Sequence, residues 1–151
     1  MGEAAGYQGM RWSGIAFTSE RDLARWGAPY RRTSRSRLNG WSEPSGTIVH
    51  HLLEELGAEQ RVILWNTVPA HPHLPGQAMS NRRPTRGEVE QGVVFLDRLI
   101  SLLQPKKIVA VGRIAEAILG ERGALYVRHP AQSGATAFRQ GMRQILREPG
   151  G

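Results

Sequence analysis

Residues Arg61 to Thr85 read RVILWNTVPAHPHLPGQAMSNRRPT. Val62, Ile63 and Leu64 form a continuous apolar run, the pattern of a short strand covered on both faces of a parallel sheet. Asn66 stands at the exit of that strand, and a Pro- and His-rich loop follows. Thr85 opens a helix, with Glu88 at capping-box spacing. Val89, Val93, Leu96, Ile100 and Leu103 carry an apolar stripe along it, and Pro105 ends it.

The same alternation continues downstream. Ile108 to Val111 reads as a second buried strand, and Gly112 turns into a helix through Ala115, Ile118 and Leu119, stopped by Gly120. Leu125 to Val127 is a third strand. It leads through RHPAQSGATAF into a last helix with Phe138, Met142 and Ile145 on one face, and the tail 148–151 is expected to fray. Upstream, Ser45 to Leu56 is a helix stopped by Gly57, and Ser19 to Trp26 a short helix with Ser19 as its cap. Residues 1–19 are Gly-rich and are expected to be loop, neither helix nor strand. The pattern predicts an α/β fold, a three-layer α/β/α arrangement around a short parallel sheet, in a single domain spanning 1–151. Ligand sites in such sheets lie beyond the carboxyl ends of the strands.

Composition narrows the function. The 151 residues hold 40% hydrophobic and 22% charged residues, the balance of a globular protein with a real core. Twenty Lys and Arg stand against 13 Asp and Glu, for a net charge of +7 that favours a polyanionic partner, nucleic acid first. Cysteine is absent, which excludes disulfides, thiolate metal sites, iron–sulfur clusters and a cysteine nucleophile. No run of about 18 apolar residues and no secretory leader is evident, so no membrane span is expected and the cytoplasm is the expected compartment.

A few residues carry possible chemistry. Asn66 can donate and accept in one plane, as the edge of a pyrimidine requires, or it can cap the loop after its strand. His129, between Arg128 and Pro130, can act as an acid, as a neutral donor to a developing anion, or as a plain loop histidine. Phe17 can stack on a base, a contact worth about 1–3 kcal/mol, or serve as a core aromatic. Tyr7, Arg11 and Trp12 give the basic-aromatic mixture found near nucleic acid, and Arg31 to Arg37 is a basic run that reads either as a solvated flexible loop or as a contact to backbone phosphates. His71 and His73 lack the Cys or carboxylate partners of a metal site, and no metal is expected. Glu3 is the one carboxylate of the opening segment.

In order, GEAAGYQG…SGIAFTS, WNTVPAHPH…NRRPT, IVAVGR and RHP..SG…F resemble the uracil-DNA glycosylase superfamily. The likeness is to the bacterial branch with a GEAPG-type first motif and runs from Gly2 to about Met142. It implies a monofunctional DNA N-glycosylase that flips uracil from DNA, hydrolyses its glycosidic bond without a cofactor and leaves an abasic site. It further implies that Phe17 stacks on the uracil, Asn66 reads its edge and His129 donates to the departing base. The segment Gly2 to Gly6, Ala4 included, would pack against the flipped base, with Tyr7 the candidate for excluding a thymine methyl. Arg128, Gln132, Ser133 and Gly134 match the loop that presses into DNA.

Several positions depart from that pattern. Ala4 stands where many relatives carry Asp or Asn to orient water, which leaves Glu3 as the candidate for that role. The cluster cysteines common in the GEAPG branch are absent, so the likeness is to a cluster-free subgroup. No Leu wedge occurs near Gln132 and Ser133. The family's first motif follows a central strand, and the expectation is that this first strand is missing and Asn66's strand has no partner there. The protein is expected to be a monomer acting on uracil-containing DNA. The alternatives are a glycosylase for another deaminated base such as hypoxanthine, or a non-catalytic nucleic-acid-binding module.

Overall fold

The computed structural model describes residues 1–147, so the expected fraying of 148–151 lies outside the described residues. The order of elements is β1 (Gly2–Ala4), α1 (Met10–Ser13), α2 (Glu20–Trp26), α3 (Pro44–Glu55), β2 (Asn66–Val68), α4 (Arg86–Leu103), β3 (Val109–Val111), α5 (Arg113–Leu119), β4 (Leu125–Val127) and α6 (Ala135–Arg147). Every strand pair is parallel. β1 pairs with β2, Gly2 opposite Asn66 and Ala4 opposite Val68, and β3 pairs with β4. Met1 joins the two pairs: its amino group donates to Val109 O at 2.6 Å, and Val111 N donates to Met1 O at 2.8 Å. One residue bonded to the two that flank its opposite number is the parallel pattern. The strand order is therefore β2-β1-β3-β4.

This arrangement corrects the reading of the first residues. Gly2–Ala4 are strand, not loop, and Met10–Ser13 are helical. The strand that begins at Asn66 does have a parallel partner, and that partner is Gly2–Ala4. Glycine weakens an isolated strand. Here Gly2 is held by its pairing with Asn66, and a side chain at that position would strike Asn66 and Phe17.

The strand expected over Val62 to Asn66 is also displaced. A 3₁₀ turn covers Glu59–Arg61, residues 62–65 lie outside a regular strand, and β2 spans Asn66–Val68. Ile63 is 58% exposed, whereas Asn66, Thr67 and Val68 are buried. Asn66 thus begins its strand instead of leaving it. It still lies high on the sheet, because Met1 sits between Val109 and Val111, so Gly2 and its partner Asn66 are level with the end of β3.

The helices form where their caps and stripes require. α2 carries the Ser19–Asp22 capping box and α4 the Thr85–Glu88 box. Gln104, in the left-handed conformation, ends α4, and Gly120 continues as a 3₁₀ turn that Gly123 closes. Val111, Val127, Phe17, Val49, Leu52, Leu53, Phe138 and Met142 make one core, placing α3 and α6 on one face of the sheet. Leu96, Ala110, Ala115 and Leu119 make the other, with α4 and α5. Alternation along β3 sends Val111 to one core and Ala110 to the other, which gives the three-layer α/β/α arrangement.

Candidate active site

A polar cavity of about 290 Å³ opens beyond the carboxyl ends of β1 and β4. Its walls include Glu3 to Gly9, Glu43 to Ser45, Pro72, Asn81, Arg82, His129 and Ala131. A larger cavity of about 650 Å³ lies where the chain enters β2 and β3, lined by Val62 to Leu64, Leu103, Ile108 and Met142 among others. The smaller cavity lies at the carboxyl edge of the sheet, where such folds bind ligands, and Glu3, Ala4, Tyr7 and His129 line it, so we place the chemistry there.

Two loops build the polar cavity by bracing each other. Ala5 N donates to Ala70 O at 3.2 Å, and Tyr7 N donates to Asn81 Oδ1 at 3.0 Å. His71 Nε2 contacts Ser80 O at 2.9 Å and Asn81 Oδ1 at 3.2 Å, holding the same loop. Arg82 reaches both Glu88 oxygens at 2.7 Å and donates to His73 O at 2.9 Å. His71 and His73 therefore serve the loop's shape. Among the described residues no group of three or more His, Asp or Glu could hold a metal ion, and no helix is long and apolar enough to cross a membrane.

His129 follows β4 and lines the cavity. Burial, and secondarily the Arg128 charge, push its pKa below the ordinary value, so the ring is neutral. Ala131 N donates to its Nδ1 at 3.1 Å. Nδ1 is then the acceptor, and Nε2 carries the proton of the neutral ring. Gly112, at φ +92, lets the turn after β3 pass close to the His129 side chain, where a Cβ would stand 3.2 Å from His129 Cβ.

Phe17, Asn66 and Gly2 meet directly behind this wall. Phe17 is 5% and Asn66 4% exposed. A Cβ at Gly2 would lie 2.5 Å from Asn66 Oδ1 and 2.7 Å from Phe17 Cζ. The Phe17 and His129 rings are 6.5 Å apart between centroids, tilted by 34°. Phe17 adopts φ +54, a strained value for a residue with a side chain. Asn66 Nδ2 donates to Met10 Sδ at 3.2 Å. Of the expected residues, Glu3, Ala4, Tyr7 and His129 line the polar cavity, Gly2 and Asn66 do not, and Phe17 lines the larger apolar one.

The DNA-side expectations fall on one loop. Gln132 and Ser133 are exposed at its tip, with φ of +51 and +62. Gly134 closes it, donating to Ala131 O at 3.0 Å, and Arg128 lies exposed at its base. Arg11 and Trp12 meet the expected basic run at Arg37 through Trp41, which the sequence did not single out. Arg37 sits 3.8 Å over Trp41, Trp41 stacks on Trp12 at 5.5 Å, and Arg11 covers Trp12 at 4.7 Å. The loop carrying Arg37 is pinned from below by buried Glu20, which accepts from Ser34 N and Oγ at 2.9 Å and from Trp41 N at 3.2 Å.

Glu43 was missed from sequence. It caps α3, lines the cavity, and its carboxylate packs over Gly9. Only the convergence of distant segments shows it, since SEPSG by itself reads as an ordinary helix start.

Fold and cavity together define an α/β protein with a polar ligand site at the carboxyl edge of a parallel sheet. Residues 1–147 match the Uracil DNA glycosylase superfamily, and the chain belongs to it. Members of this superfamily are DNA glycosylases, hydrolases of DNA repair. No curated protein matches the chain.

Proposed function

We propose that the protein is a single-domain, monomeric, monofunctional glycosylase that removes uracil from DNA and leaves an abasic site. The observation that carries this is His129: neutral, with Nδ1 occupied by Ala131 N–H, on the wall of the cavity beyond the strand ends. Cleavage of an N-glycosidic bond builds positive charge on the sugar and negative charge on the base. A neutral donor aimed at the base oxygen stabilises the second, and one well-placed donor is worth about 2.7–4 kcal/mol. Nε2–H of His129 is that donor.

Phe17 supports the flipped ring and Asn66 reads its edge. Thioether sulfur is a weak acceptor, so Asn66 Nδ2 exchanges Met10 Sδ for a base carbonyl at little cost. Gly2 keeps the strand close enough for both, and Ala4 and Tyr7 border the base from the cavity side. Glu3 lines the same cavity and is available to a water. Arg128 and the exposed tip at Gln132, Ser133 and Gly134 contact the DNA at the gap left by the base. The net charge of +7 supplies the salt-sensitive attraction to phosphates.

The test is cleavage of a uracil-containing duplex scored as abasic sites. His129→Ala should lose most of the rate while retaining DNA binding, and Asn66→Asp should gain cleavage of cytosine. Binding of DNA without cleavage of uracil, hypoxanthine or xanthine would overturn the enzyme reading.

A further inference from the structure

Glu43 lacks a partner for one of its oxygens at the wall of the catalytic cavity. Among the described residues two buried side-chain polar atoms have no hydrogen-bond partner, Glu43 Oε2 and Trp65 Nε1. The indole N–H does not line the polar cavity, whereas Glu43 does, together with Ala4 and His129. A buried carboxylate oxygen without a partner is costly, and a catalytic role is one of the reasons such a group is retained. Its place as the cap of α3 offers an obvious structural role, yet the side chain makes no capping bond. Instead the carboxylate turns onto Gly9, where a side chain at residue 9 would collide with it.

We infer that Glu43 is the catalytic carboxylate that holds and deprotonates the attacking water. The inference rests on the glycosylase reading given above. Water oxygen bonds to C1′ as the bond from C1′ to the base nitrogen breaks. The bonding pair leaves on the base, whose anion meets Nε2–H of His129. The water proton passes to Glu43, and the base anion takes up a proton on release. Ala4 offers no group for this step.

Glu3, the other carboxylate at the cavity, is less suited. Burial raises its pKa, but the Arg83 charge opposes that rise. At Glu43 burial, reinforced by the Asp22 carboxylate, pushes the pKa up to about 7. A base is most effective when its pKa lies near the working pH. Asp22 from α2 acts on Glu43 through its charge, and the titratable and charged groups that share its cavity are Glu3 from β1, Tyr7 from the loop after it, Arg82 from the loop before α4, and His129.

The experiment measures single-turnover cleavage of a uracil duplex, and binding to the same duplex with a non-cleavable 2′-fluoro uridine. Glu43→Gln should cut the rate by about 10²–10⁴-fold with binding to the fluoro duplex unchanged, while Glu3→Gln should have a much smaller effect. Formate should restore part of the activity of Glu43→Ala, which a merely structural role would not allow. In wild type the rate should rise with pH through about 7, and Glu43→Asp should shift that limb while retaining activity, a readout that survives if Glu43→Gln fails to fold. Wild-type cleavage with a Glu43→Gln rate indistinguishable from it would overturn this inference and leave the glycosylase reading intact. Failure of wild type to cleave any deaminated base would overturn both.

Discussion

Gly2 and Asn66 are register partners in β1 and β2, and the space between them is closed to any side chain at residue 2. A Cβ there would stand 2.5 Å from Asn66 Oδ1. The same atom would press on Phe17 Cζ at 2.7 Å. One glycine therefore sets the position of both groups proposed to hold the base. We expect Gly2→Ala to cost about 1–3 kcal/mol of stability through overpacking. Displacement of the two side chains should lower single-turnover cleavage by about 10²-fold. Urea unfolding and abasic-site formation measure the two effects, and an unchanged cleavage rate would mean that Asn66 and Phe17 do not hold the base.

Glu20 is fully buried and accepts three hydrogen bonds from Ser34 and Trp41. These bonds hold the arginine-rich loop in place, so its order depends on a residue outside it. Glu20→Ala strands Ser34 N and Trp41 N, and we expect a loss of about 3 kcal/mol. Ser34→Ala removes only the hydroxyl contact and should cost about 1 kcal/mol. If the two variants unfold at the same urea concentration, Glu20 does not anchor the loop.

Much of the site was legible as motif, and less of it as structure. The helix caps at Ser19 and Thr85 are local chemistry, and both were readable from spacing alone. β1 was not, because glycine and alanine have no strand preference of their own. Gly2–Ala4 are strand only because β2 and β3 flank them. The apolar run at Val62 to Leu64 signalled burial, but the hydrogen-bonding partner begins at Gly2, level with Asn66, so the strand starts later and Ile63 faces out. Asn66, Phe17 and His129 were each singled out, and their approach to one another follows from the parallel order of the strands. Glu43 could not be read, because the residues that act on it, Gly9 by packing and Asp22 by its charge, are remote in sequence.

Arg37 lies over the Trp41 ring, so its guanidinium is held at the surface with one face covered. A cation fixed in this way meets a phosphate with little ordering cost. We expect Arg37→Ala to weaken DNA binding about equally for all sequences and to reduce the slope of log Kd against log salt by about one. Fluorescence anisotropy across a salt series measures this. A slope equal to wild type would place the phosphates elsewhere.

Glu43 and the buried histidines titrate with opposite effects on stability. Glu43 is raised from 4.5 to about 7, so between those values the folded chain holds a proton that the unfolded chain has released. Its contribution is therefore lost as pH rises from 4.5 to 7, by about 3 kcal/mol. His50 and His129 are both lowered by burial, so below 6.5 the unfolded chain binds protons that the folded chain does not, and stability falls as pH drops through that range. In wild type the two effects oppose each other. Glu43→Gln removes the first and keeps the second, so we expect its stability to rise more steeply from pH 5 to 7 than that of wild type. Urea unfolding at pH 5, 6 and 7 on the two proteins decides the matter, and identical slopes would mean that Glu43 does not change its protonation on folding.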